Sequence, residues 1–155
     1  MLHVRQARAE DVPRLYAIAE AAYAGYVPLI GRKPAPMVAD FAALTERGVV
    51  DVAVAEKGDA VRVAPSGYIV HYAVDAETWH LENIAVAPEG QGRGIGGALI
   101  AYAEDAARLH GARTMTLYTN AKMAGNLTLY PALGYVETRR AQEDGFDRVF
   151  FEKPL

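Results

Sequence analysis

The stretch GQGRGIGGALI, residues 90–100, constrains the fold more than any other part of the chain. Five of its first eight residues are glycine, and the pattern then turns apolar with helical spacing. A strand-like run, LENIAVA, stands just before it. Glycine near the start of an otherwise good helix costs roughly 1 kcal/mol relative to alanine, so a plain connector has no use for several. Glycine does serve where backbone must approach a ligand closely or adopt positive φ. A strand, a loop of free amides and a helix N-terminus together make an anion site.

Three phosphate-binding readings compete for this stretch. Gly92-x-Gly94-x-x-Gly97 spells the dinucleotide fingerprint. That motif needs a strand running straight into the first glycine and an acidic residue about 20 positions on. Here Pro88, Glu89, Gly90 and Gln91 intervene, and the next strand ends in Tyr118-Thr119-Asn120 without an acidic residue. A Walker phosphate loop fails because no Gly-Lys-Ser/Thr follows. The third reading is the same anion-binding arrangement serving a different phosphate-bearing ligand.

The surrounding periodicity reads as a mixed α/β layered domain. LHVRQA is a short first strand, and EDVPRLYAIAEAAYAGY is a helix with Leu15, Ile18, Ala19, Ala22 and Tyr23 on one stripe. Glu10 and Asp11 near its start suit the helix dipole. VPLIGRKPAPM, with three prolines and a glycine, reads as a loop leading to a second short helix near Val38–Glu46. From residue 49 the period becomes two. VVDVAVAEKG, closing in a turn signal, SGYIVHYAVD, ETWHLENIAVA, RTMTLYT and DRVFFEKPL are strands, with GYVETRR an additional one. A helix from about Gly96 to His110 is stopped by Gly111, and a shorter one spans about Ala124–Leu133.

Composition removes several function classes. At 155 residues the chain is expected to be one domain over residues 1–155. A formal net charge of −3 without a block of like charges argues against a nucleic-acid binder. No apolar run of about 18 residues is present, so no membrane partner is expected. The N-terminus MLHVRQARAED has no signal-peptide pattern, and a cytoplasmic location is expected. There is no cysteine, which excludes disulfides, thiolate nucleophiles and a cysteinyl acyl-enzyme. His3, His71, His80 and His110 lack metal-ligand spacing, so no metal is expected.

The segment LENIAVAPEGQGRGIGGALIAYAEDAARLHGA resembles the acetyl-CoA-binding motif of the GNAT N-acetyltransferase superfamily. The family core Gln/Arg-x-x-Gly-x-Gly/Ala is met in full by Gln91-Gly92-Arg93-Gly94-Ile95-Gly96. Downstream, LYTNAKMAGNLTLYPALGYVET is similar to the family's second signature, an Asn followed by Tyr-x-x-x-Gly-Tyr/Phe. The resemblance implies a mostly antiparallel central sheet flanked by about four helices and splayed at its central strands. It also implies acetyl transfer from acetyl-CoA to an amine, with acetyl-CoA as cosubstrate. The pyrophosphate would lie on the amides of Gln91, Gly92, Gly94 and Gly96 and their neighbours, including Ile95. Arg93 would add charge or stay solvated. Gly97 reads better as a tight helix-packing position. Ile84, Ala85 and Val86 would offer strand backbone to the pantetheine. Tyr130, four before Gly134, would protonate the leaving thiolate or simply pack as an aromatic. Asn126 would bond the cosubstrate or cap a helix, and Asn120 would do likewise or serve a turn.

An amine nucleophile must be neutral. A lysine-like amine with a pKa of about 10.4 costs roughly 4–5 kcal/mol to deprotonate at pH 7. A general base is the usual answer. Period two sets His80, Glu82, Ile84 and Val86 on one face of a strand expected to be central. Ionisable groups on a buried strand need a reason. Either Glu82 is the base or water-positioner with His80 assisting, or the two form an ion pair or a satisfied histidine. Tyr23, Tyr26, Arg32 and Lys33 are candidates for the acceptor pocket. The acceptor is expected to be a primary amine of a small molecule or peptide. A non-catalytic acetyl-CoA-binding module, or transfer of another acyl group, are the alternatives. A homodimer is common among similar domains.

Overall fold

Seven strands form one mixed sheet in the order β1-β2-β3-β4-β5-β7-β6 in the computed structural model, which describes residues 2–55 and 64–155. They are β1 (Leu2–Gln6), β2 (Val50–Ala55), β3 (Gly67–Ala73), β4 (Thr78–Val86), β5 (Thr114–Asn120), β6 (Val136–Glu143) and β7 (Phe146–Pro154). Every neighbouring pair is antiparallel except β4 and β5, which run parallel through the crossover helix α4 (Ile95–Leu109). β4 is therefore the central strand. The turn expected at Glu56-Lys57-Gly58 lies outside the described residues.

Helices cover both faces of the sheet. On one side lie α1 (Val12–Tyr23) and α3 (Phe41–Glu46). Leu15, Ile18, Ala19 and Tyr23 of α1 pack there with Phe41, Val50, Val52, Tyr68, Val70 and Ala85. On the other side Ile95, Leu99, Ile100, Ala103 and Ala107 of α4 pack with Ile69, Trp79, Leu81, Met115 and Phe151. Tyr130 of α5 (Ala124–Ala132) joins this second layer. The stripe predicted on α1 is the buried one, apart from Ala22, which is partly buried. Gly111, at φ +85°, ends α4 as expected.

The stretch VPLIGRKPAPM is more ordered than a plain loop. It contains α2 (Val27–Ile30), with Pro28 in the first turn and Gly31 at φ +91° just past its end. These are the usual positions for each residue at a helix boundary. The following helix begins at Phe41 rather than Val38, because Asp40 caps it by accepting from the Ala43 amide at 3.0 Å. A partly buried ion pair ties α4 to β7. Glu104 accepts from Lys153 Nζ at 3.0 Å and from the Tyr135 hydroxyl at 2.8 Å. Among the described residues, no helix is long and apolar enough to cross a membrane.

Candidate active site

Two irregularities of the central strand make the site. The first is a splay. β4 pairs with β5 only through Thr78–Thr114, Trp79–Met115 and His80–Thr116. β4 then continues to Val86 and β5 to Asn120 without further pairing between them. Residues Ile84 to Val86 stay bonded to β3 on one edge and leave the other edge open. The second irregularity is a β-bulge. The register with β3 passes from Val70–Asn83 to His71–Leu81, so Glu82 has no partner of its own.

The bulge re-aims the strand. Period two places His80, Glu82, Ile84 and Val86 on one face, but the structure divides them. Ile84 and Val86 pack against the α4 layer together with Trp79 and Leu81. Asn83 and Ala85 turn toward the α1 layer, where Asn83 accepts from the Tyr68 hydroxyl at 2.9 Å. The face exchange occurs at Glu82. Its side chain is thereby released from the sheet ladder into the open space beside it.

That space is a cavity of about 270 Å³. Leu81, Glu82, Asn83 and Ile84 of β4 form one wall, and Tyr118, Thr119 and Asn120 of β5 the opposite one. Tyr130 and Asn126 of α5 close the α4 side. Tyr23, Pro34, Pro36, Phe146 and Arg148 line the rest. Glu82 accepts a hydrogen bond from the Tyr72 hydroxyl at 2.8 Å. Burial, with the carboxylate of Glu82 next to it, pushes the Tyr72 hydroxyl up to about 12, so it acts as a donor. His80 lies one step further along β4, its Nδ1 2.8 Å from Thr116 Oγ1. Burial lowers the pKa of His80 against the opposing pull of Glu82 and Thr116. The imidazole therefore stays neutral at neutral pH.

Tyr130 is 5% exposed and lines the cavity. Its ring is held by Tyr135 and Phe151, with centroids 5.8 and 5.9 Å away. Burial alone pushes its hydroxyl up to about 12, which keeps the proton on. Pro131 sits in the last turn of α5, after Tyr130, where the helix is already ending. Asn126 is not a helix cap. It lies inside α5, and its Nδ2 donates to Thr119 Oγ1 at 3.0 Å. Asn120 uses Oδ1 to accept from the Lys122 amide at 2.9 Å, the geometry of a turn residue.

The glycine loop lies at the C-terminal end of β4. Gly92 and Gly94 have φ of +77° and +76°, and a Cβ on either would meet nothing within 4 Å. The positive φ requires glycine, and the empty surroundings leave the backbone open to a ligand. The first hydrogen bond of α4 runs from the Ala98 amide to Gly94 O at 3.0 Å, so the amides of Ile95, Gly96 and Gly97 point out of the helix end. The Gln91 amide donates to Pro88 O at 3.3 Å, within the loop. Arg93 is exposed. Gly97 does not serve close packing, since a Cβ there would also meet nothing within 4 Å. That role falls to Gly90 and Gly67. A Cβ on Gly90 would lie 2.9 Å from Ile95 Cδ1, and one on Gly67 3.1 Å from Ala85 O.

The candidates for the acceptor pocket separate. Tyr23 lines the cavity and donates to Ile84 O at 2.5 Å. Tyr26 packs beside Tyr23, partly buried against the α1 layer. Arg32 stacks on Phe146 at 3.7 Å and donates to Asp144 O, tying the segment after α2 to the β6–β7 hairpin. Lys33 is exposed. Sequence reasoning missed Tyr72, Asn83, Tyr118, Phe146 and Arg148. Tyr72 pairs directly with His80 across β3 and β4, a neighbour that register alone reveals. Among the described residues, no group of three or more His, Asp or Glu side chains is placed to hold a metal.

Residues 48–137 match the family model described as an acetyltransferase (GNAT) domain. Among solved structures, the chain superimposes on PaiA N-acetyltransferase from Thermoplasma acidophilum in complex with coenzyme A. The TM-score is 0.78 at 18% identity, covering 100% of this chain and 99% of that one. It also superimposes on the ribosomal-protein-S18-alanine N-acetyltransferase of Escherichia coli (0.75, 24% identity, 99% and 94% covered). A third is the IAA acetyltransferase of Bacillus cereus (0.70, 22% identity, 100% of each chain). A search of curated proteins found no significant match to the sequence.

Proposed function

We propose, from the premise that this chain belongs to the GNAT family of acetyltransferases, that it moves an acetyl group from acetyl-CoA to the primary amine of a small molecule by direct transfer. The observation that carries this reading is the meeting of Glu82 and Tyr130 on one cavity at the splay of β4 and β5. One is a proton acceptor on a bulge, and the other is a proton donor held in its neutral form.

The residues of the glycine loop fit a phosphate-bearing cosubstrate. Gly92 and Gly94 leave open the space a side chain would enter, and the amides of Ile95, Gly96 and Gly97 face outward. These groups would hold the pyrophosphate. The edge of Ile84, Ala85 and Val86 that has no strand partner, its Ile84 carbonyl held by Tyr23, would hold the pantetheine, and Asn126 and Asn120 would bond its polar groups. Bound acetyl-CoA supplies the acetyl thioester. Glu82, oriented by Tyr72, takes the proton from the acceptor ammonium directly or through one water. His80 is not among the residues lining the cavity, and its part in the chemistry would be to act on Glu82 from two residues away on β4. Tyr130 would donate its phenolic proton to the departing sulfur as the C–S bond breaks, and would recover one from the second proton that the nitrogen sheds on becoming an amide. Without a cysteine in the chain, no cysteinyl acyl-enzyme forms.

A small acceptor is favoured by the size of the cavity. The cavity's volume of about 270 Å³ is near the lower end for ligand sites. Thiol release from acetyl-CoA with a panel of small amines and peptides tests the activity. Turnover restricted to small amines supports the reading. CoA-dependent thermal stabilisation without turnover on any amine favours a binding module. Faster release from longer acyl thioesters favours a different acyl group.

A further inference from the structure

The cavity carries one charge that acetyl transfer does not use. Among its described lining residues only Glu82 and Arg148 are charged. Arg148 stands on β7 opposite Asn120 of β5, at the cavity end of the sheet. Its side chain is 10% exposed. The guanidinium lies 4.5 Å over the Tyr118 ring and 5.7 Å from the Phe146 ring. Two aromatic faces thus fix its position and favour the cation.

Most of its hydrogen-bonding capacity is unused. Glu143 and Asp144 approach at 3.4 and 3.5 Å, and both do so at the same nitrogen, Nη1. These distances exceed the roughly 2.7–2.9 Å of a strong charge-assisted bond. Both carboxylates are also solvated, at 40% and 82% exposure. Nε and Nη2 have no partner among the described residues. Neither is sealed from solvent, since among the described residues only Thr45 Oγ1 is a buried side-chain polar atom without a partner, so both stand ready to donate to a ligand in the cavity. The planar fork of the guanidinium matches a carboxylate in bidentate fashion.

We propose that the acceptor is a small amine that also bears a carboxylate, and that Arg148 binds this carboxylate while Glu82 receives the amine. The inference rests on the amine-acetylation reading above. The substrate brings one positive and one negative group to a cavity that presents one of each. The specificity is then set by Arg148, and the chemistry by Glu82 and Tyr130.

The test uses the full chain and a panel of amino acids, each beside its own carboxamide and methyl ester, with acetyl-CoA and thiol release as the readout. The expected result is a kcat/KM at least tenfold higher for the acid than for its carboxamide, carried in KM. In Arg148→Gln that ratio falls to about one. Glu143→Gln frees Nη1 and raises the ratio, which keeps the test alive if Arg148→Gln does not fold. Equal use of acids and carboxamides by the wild type, or a ratio that survives in Arg148→Gln, overturns the proposal. If no amine is turned over, the acetylation reading fails. Calorimetric binding of the same acids and carboxamides in the presence of CoA still decides on Arg148: tighter binding of the acids upholds its role, and equal binding refutes it.

Discussion

Tyr72 donates a hydrogen bond to Glu82 across the bulge that takes Glu82 out of register. Tyr72 pairs with His80 in the ladder, yet its hydroxyl reaches the carboxylate further along β4. A bulge that frees a side chain from the sheet is thus combined with a tyrosine that fixes where the freed side chain points. The carboxylate is aimed without being buried against a cation.

Replacing the base should show a pH signature. Glu82→Gln keeps the shape and the Tyr72 contact but loses proton acceptance. Turnover is expected to drop by about 10²-fold near pH 7, within the usual range for general base catalysis. The deficit shrinks as pH rises toward the amine pKa, because more amine is then neutral already. A pH–rate profile of the variant parallel to wild type would remove Glu82 from this role.

The glycines separate ligand approach from packing. Gly94→Val forces a β-branched residue to φ +76°, at a cost of order 1–2 kcal/mol. It is expected to raise the KM for acetyl-CoA severalfold or more and to leave that of the amine nearly unchanged. Gly97→Ala meets open space and gains helix propensity of up to about 1 kcal/mol. A rise in urea midpoint is expected there. A clear loss of stability in Gly97→Ala would restore the packing role that its sequence context implies.

His80 links stability to pH. Burial holds its folded pKa below the ordinary 6.5. Between the folded value and 6.5 the unfolded chain binds more protons than the native one. Its contribution is therefore intact above about pH 6.5 and is lost as pH falls below it. His80→Gln should flatten this part of the stability–pH curve measured by urea unfolding. An equal slope below pH 6.5 in both proteins would show that other groups carry it.

Much of this was legible because it is written in local chemistry. The need for positive φ at Gly92 and Gly94 is met only by glycine at low cost, and Gly111 marks a helix end for the same reason. Apolar stripes on α1 and α4 name their buried faces. The bulge at Glu82 was not legible. The alternation in WHLENIAV is unbroken as text, and the extra residue exists only relative to the β3 register. Arg148, Tyr118 and Tyr72 come from three different strands, and they are brought to one site only by the order and register of the sheet. Gly97 misled because close packing depends on what a tertiary neighbour supplies, and at that position nothing is supplied.

The most direct test of the account is the turnover of Tyr130→Phe. The ring, its contacts to Tyr135 and Phe151 and the burial all remain, so only the proton donor is lost. Thiol release with a saturating acceptor amine should show kcat reduced by about 10–100-fold, with the Kd for CoA within about twofold of wild type. An unchanged kcat would contradict the assignment of Tyr130 as the acid and, with it, the chemistry derived for this cavity.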